Sequence, residues 1–333
     1  MSIELNDIAG LSKPLTKLIE VVSGGIGTLY LPTKIRQEAK ARADAEQIAA
    51  LGKIETTNKA RDLQLHAELK HIEQLVSDRP DLAERARMRI LTREIEGYAN
   101  LEAVADYAAQ ELPENVSPNP LDADWRRKFF LEAENVCDTD MQLLWGKILA
   151  GEVAAPGTFS LRTLDTLRQL SRAEAEVFQG ACALAMADGW IAQPSSDLNT
   201  ALKPFGLSFE TILMLRDSGL LITDNAEKQF GFLDSVVAGA VRSADSEKQI
   251  SVMLKNNGVI IQVSSPTNRF AIPALLFTKA GRELQRLIAD AENPAYLNAL
   301  GQALRQRGIV AKRGSASPTA DPSVSVVTFV QDL

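Results

Sequence analysis

Apolar positions recur every three or four residues from residue 33 to about residue 192, then alternate or form short runs between residues 249 and 277. The first spacing is that of helices turning one face inward, the second that of strands. The chain is therefore expected to be mainly α, with a smaller α+β unit on its C-terminal side. Between residues 33 and 76, Ile35, Ala39, Ala43, Ile48, Leu51 and Ile54 mark a shallow, alanine-rich seam interrupted by Gly52. Pro80 suits the first turn of a second long helix, which carries Leu82, Ala86, Ile90, Leu91, Ile95, Tyr98, Leu101, Val104, Ala105 and Ala108 to about Leu112. Residues 33–112 thus read as a long helical hairpin suited to self-association or partner docking. The connector 113–121, PENVSPNPL, holds three prolines and ends it.

The stretch 122–192 is expected to be helical throughout. Within it DMQLLWGKILAGE, residues 140–152, sets Met141, Leu144, Trp145, Ile148 and Leu149 on one apolar stripe. Thr139 and Gln142 have capping-box spacing, and Asp138 is a second candidate cap. Asp140 then falls in the first turn, where the helix dipole favours a negative charge. Gly151 is placed to stop this helix, leaving Glu152 beyond it. Upstream, Trp125 and Phe129 converge with Trp145 on a short aromatic region, which reads as core. Glu132 and Glu134 stand two apart and point about 200 degrees away from each other, so they do not form an acid–base pair on one helix. Ser171 and Glu174 announce a further capped helix.

After residue 192 the pattern changes. Ser208 is placed to cap FETILMLRDSGL, and QISVMLK, GVIIQV and NRFAIPALLF read as strands, with Asn256-Asn257-Gly258 as a tight-hairpin signal. Thr278 caps KAGRELQRLIADAE. The phrases LRDSGLL and LLFTKAGRELQRLI give residues 193–292 a winged-helix-like β-hairpin module. A terminal helix at 293–310 and a flexible tail at 311–333, β-prone at SVSVVTFV, complete the order.

Charge narrows the partners. The net charge is -7, so the chain as a whole lacks a basic footprint for nucleic acid. Residues 200–290 carry 10 basic and 9 acidic side chains, a balance that suits a protein-interaction module better than a DNA reader. Residues 34–112 mix 13 basic with 15 acidic residues, as on a solvated helical surface. The two cysteines, Cys137 and Cys182, are too far apart in sequence for a CxxC pair and are expected to be small buried apolar residues in a reducing cytoplasm. The two histidines, His66 and His71, diverge by about 140 degrees on a helix, so they do not make a helical zinc pair. No phosphate loop, nucleophile elbow or dinucleotide turn is present. No metal or cofactor is expected.

The run DWRRKFFLEAENVCDTDMQLLWGKILAGEVAAPGTFSLRTL resembles the signature of a bacterial family catalogued as domain of unknown function 2806. The likeness rests on Trp125, Phe129, Phe130, Glu134, Met141, Gln142, Leu144, Trp145, Ile148, Leu149, Gly151, Glu152, Pro156, Gly157, Phe159 and the following SLRTL, Ser160 to Leu164. Weaker similarity runs through NLEAVADYAAQEL and LLFTKAGRELQRLI. The resemblance implies membership but brings no activity with it.

Two candidate sites come from the residues. Ser160 could cap the helix that begins at Leu161, with Arg162 and Thr163 binding an anion at its positive end; alternatively Arg162 pairs with Glu134 or Glu152 as a brace. In residues 1–32 a glycine-broken apolar segment, 15–32, could meet a membrane, bending at Gly24, Gly25 and Gly27 and placing Tyr30 at a headgroup boundary, or could simply pack within the protein. The leading expectation is a non-enzymatic cytoplasmic interaction or regulatory protein, in bacterial stress or phage defence, with a protein partner or self-association. The alternatives are a membrane-acting effector at the inner membrane, using residues 15–32, and a DNA-binding regulator through residues 193–292.

Overall fold

A computed structural model describes residues 12–27, 30–33, 79–195, 197, 200–231, 250–256, 259–267, 269–288, 292–318 and 325–333. The seam expected over residues 35–54, His66 and His71 lie outside them. The chain is a mixture of α and β structure in two compact units, residues 1–161 and 162–333. The division falls inside the stretch 122–192 that the sequence suggests is one helical domain.

The first unit contains helices α1 (Lys13–Ile26), α2 (Pro80–Glu111), α3 (Ala123–Ala133) and α4 (Thr139–Ala154). Each start has a local cause. Pro14 and Pro80 occupy first turns, where a missing N–H costs nothing. Asp122 caps α3 by accepting from the Trp125 N–H at 2.9 Å, and Asp138 caps α4 by accepting from the Met141 N–H at 3.0 Å. Asp138, not Thr139, is thus the cap of α4. Gln142 does different work: its amide donates to Asn100 Oδ1 (3.1 Å) and to the Val136 carbonyl (2.8 Å). The helix also runs through Gly151 to Ala154, because continued i,i+4 bonding there buries Val153 and Glu152.

The core of this unit is the aromatic cluster expected from the sequence. Phe129 stacks on Trp125 at 5.0 Å between ring centroids and meets Trp145 at 5.2 Å; all three are buried. Beside them α2 and α4 approach backbone to backbone. A Cβ at Gly146 would lie 3.0 Å from both the Val104 carbonyl oxygen and the Ala108 nitrogen, and 2.5 Å from the Tyr107 Cβ. Only glycine permits that spacing.

Lys17, which the sequence shows merely as a break in an apolar run, fastens this unit together. Its ammonium donates to the carbonyls of Ser117, Asn119 and Val153, the last two at 2.9 Å. One side chain therefore ties α1 to the proline-rich connector and to the carbonyl end of α4, where the helix dipole also favours a cation. Burial lowers its pKa, against the raising influence of Glu20. Lys17→Met is expected to cost about 2 kcal/mol, since charged hydrogen bonds of this kind each contribute roughly 1.5–3 kcal/mol and some carbonyls will regain water. Urea unfolding of the full chain measures it, with an unchanged midpoint as the contrary result.

The second unit contains α5 (Leu161–Gln169, entering it at Arg162), α6 (Arg172–Leu184), α7 (Phe209–Asp217), α8 (Lys279–Gln285), α9 (Pro294–Gln306) and eight strands. These are β1 (Ala185–Met186), β2 (Trp190–Ala192), β3 (Ala226–Gly231), β4 (Ile250–Asn256), β5 (Val259–Ser265), β6 (Arg269–Leu276), β7 (Val310–Pro318) and β8 (Ser325–Asp332). They form one antiparallel sheet in the order β3-β6-β2-β1-β4-β5-β7-β8. The capping box of Ser171 with Glu174 forms in full, and Ser208 and Thr278 cap α7 and α8. Asn256 lies opposite Val259; Asn257 and Gly258 of the expected hairpin signal lie outside the described residues.

Two sequence expectations are corrected here. Residues 122–192 are helical only to Leu184; β1 and β2 follow around Gly189, which has φ 85. Both strands are wholly buried, and with apolar side chains on both faces neither period marks them. The stretch 311–333, read as a flexible tail with a β-prone end at SVSVVTFV, supplies most of β7 as well as β8 at that end; the two pair with each other and, through β7, with β5. A polar composition hid β7, whose pairing comes from neighbouring backbone and not from apolar alternation.

Candidate functional site

The apolar positions of α2 divide along its length. Leu101, Val104, Ala105 and Ala108 are buried in the packing against α4. The preceding three turns are different: Met88, Leu91, Ile95 and Tyr98 are 55%, 55%, 60% and 40% exposed. Their 3-4-3 spacing draws them onto one stripe. Charges flank the stripe, with Asp81, Glu84, Arg85, Arg87, Arg89 and Arg93 towards its start and Glu94 and Glu96 towards its end. Arg85 bonds Asp81 one turn away (3.0 Å) on the exposed surface, a contact worth little by itself.

Below the stripe a cavity of about 670 Å³ opens where α1, α2 and α3 meet. Gly24 and Gly25 of α1, Arg93 and Tyr98 of α2, and Arg126, Arg127 and Phe130 of α3 line it, with Glu134 and Cys137 at the following loop. Arg93 reaches the Glu134 carboxylate at 3.7 Å. The Glu134 backbone carbonyl accepts from the Asn100 amide at 2.9 Å.

The candidate membrane residues are placed by this packing. Gly24 and Gly25 do not bend α1; they let α3 approach, since a Cβ on Gly24 would lie 3.3 Å from an Arg126 guanidinium nitrogen and one on Gly25 would fall inside the Phe130 ring. Gly27 ends the helix in the left-handed region at φ 77, its N–H donating to the Ser23 carbonyl. Tyr30 is 2% exposed, and its hydroxyl donates to Asp106 Oδ1 at 2.7 Å. Leu18, Ile19 and Val22 are fully buried. Leu18, Ile19, Val21 and Val22 of the segment thus meet neighbouring helices, which bury them as a bilayer would. Among the described residues no helix is long and apolar enough to cross a membrane.

The candidate anion residues are used otherwise. Thr163 is buried, and its hydroxyl donates to Glu283, a carboxylate only 6% exposed that also stands 3.7 Å from Lys279. The first turn of α5 therefore already holds an acidic group from its own chain. Arg162 is exposed and Ser160 half-buried. Glu152, expected beyond its helix as a partner for Arg162, accepts from the Gly157 N–H (2.6 Å) and the Phe159 N–H (2.9 Å). It shapes the loop after α4. Glu152→Ala is expected to destabilise the first unit by roughly 2–3 kcal/mol through two abandoned amides, and Glu152→Gln by about half, because one acceptor oxygen is retained. Thermal unfolding of both variants checks the order.

Cys182 is buried as expected, and burial pushes its thiol far above the ordinary range, which makes it unreactive. Cys137 is exposed, because it follows the end of α3 in a loop and faces the cavity. Among the described residues no group of three or more His, Cys, Asp or Glu side chains is placed to hold a metal ion.

A family model described as a protein of unknown function, DUF2806, matches residues 84–301. No curated protein and no solved structure matches the chain. The match takes in the aromatic core of the first unit, the cavity-lining residues of α2 and α3, and the sheet through β6, well over half of the chain, and on that extent the chain belongs to the DUF2806 family.

Proposed function

We propose that this protein is a non-enzymatic interaction protein that self-associates through α2. The observation that carries this reading is the exposed Met88–Leu91–Ile95–Tyr98 stripe, since contiguous exposed apolar side chains rimmed by charge mark association sites. A second copy in antiparallel orientation is the occupant that its charges fit. Reversing α2 about Arg93 sets Met88 opposite Tyr98 and Leu91 opposite Ile95, and lays the arginines of residues 85–93 along residues 93–101, which hold Glu94 and Glu96. Sedimentation of the full chain tests this: a dimer dispersed by charge on the stripe supports it, and a monomer at all concentrations overturns it.

The second unit supports a protein partner more than a duplex. Its winged-helix-like reading would make α7 the recognition helix. Yet α7 exposes Phe209, Leu213 and Met214 beside Glu210 and Asp217, a surface that phosphates would repel. A membrane role for residues 15–32 would require Leu18, Ile19 and Val22, all fully buried, to leave the helices they pack against. The regulatory setting, bacterial stress or phage defence, stays with this proposal.

A further inference from the structure

We propose that the cavity between α1, α2 and α3 binds a small molecule through an oxyanion, a phosphate or a carboxylate, held by Arg126 and Arg127. The sign follows from which charges are already answered. Glu94 and Glu96 at the rim are exposed and solvated, and Glu134 faces Arg93. Arg126 is half-buried, packed over Gly24, and neither it nor Arg127 has a hydrogen bond or ion pair among the described residues. A partly desolvated guanidinium without a counter-charge is the unpaid element of the site, and the planar fork of its N–H groups matches the two oxygens of a carboxylate or phosphate.

Size and walls agree with a small ligand. About 670 Å³ is within the range of roughly 300–1,000 Å³ typical of small-molecule sites. Tyr98 and Phe130 supply aromatic surface beside the arginines. This site is distinct from the α5 start, where Glu283 supplies the anion.

The test is calorimetric titration of the full chain with pyrophosphate and with citrate, against sodium chloride at matched ionic strength. Saturable binding of either probe is expected, weakened at least tenfold in both Arg126→Gln and Arg127→Gln. The exposed Arg127 keeps the test open should Arg126→Gln unfold the protein, which circular dichroism shows. Heats no greater than those of chloride, or binding unaltered in a folded Arg127→Gln, overturn the proposal. Because the readout is ligand binding by the full chain, it stands or falls separately from self-association.

Discussion

Trp145→Ala is expected to lower the stability of the first unit by about 3–5 kcal/mol, the usual cost of removing a large aromatic from a core that closes only partly around the cavity. Trp145 is 1% exposed and shares its ring contact with Phe129, which in turn stacks on Trp125. Its neighbours offer little give: Gly146, the next residue, is already in backbone contact with α2, so α4 has no room to slide inward. Since the chain has two compact units, urea unfolding followed by circular dichroism should show one transition shifted and the other unmoved. Leu161→Ala, at a side chain 42% exposed, is the control. A shift under about 1 kcal/mol would mean that the aromatic cluster does not organise the unit.

Leu91→Asp combined with Ile95→Asp is expected to weaken self-association at least a hundredfold while leaving the monomer folded. Both side chains are more than half exposed in the single chain, so monomer stability has little at stake. In the antiparallel pair each copy presents both, so four apolar contacts are replaced by four carboxylates. At roughly 1 kcal/mol or more per buried side chain the loss exceeds the 2.8 kcal/mol that a hundredfold change requires. Sedimentation equilibrium over a concentration series reads the constant directly. Wild-type and variant chains with the same monomeric mass would sink the proposal, and a variant that dimerises as well as wild type would place the interface elsewhere.

Much of the fold was legible because its signals are local. Asp138, Ser171, Ser208 and Thr278 cap helices through bonds to amides within three residues, so residue identity and spacing suffice. The strands β4, β5 and β6 show buried side chains at alternate positions for much of their length, and that alternation stands in the sequence. The candidate sites were less legible. Periodicity places Tyr98 and Ile95 on a helix without saying whether another helix covers them, and the same apolar spacing serves the buried Leu101 and the exposed Ile95 of one helix.

The sequence by itself determined the helix starts, the alternation of the strands, the aromatic core around Trp145 and membership of the family. Tertiary structure alone decided what meets across long separations: Lys17 with Ser117 and Val153, Thr163 with Glu283, Tyr30 with Asp106. It also turned Gly25 from a supposed hinge into a contact surface and left Arg126 facing a cavity. The reason is physical. Capping and periodicity act within one or two turns of backbone, whereas these contacts are set by how whole helices and strands pack, and nothing local to either partner names the other.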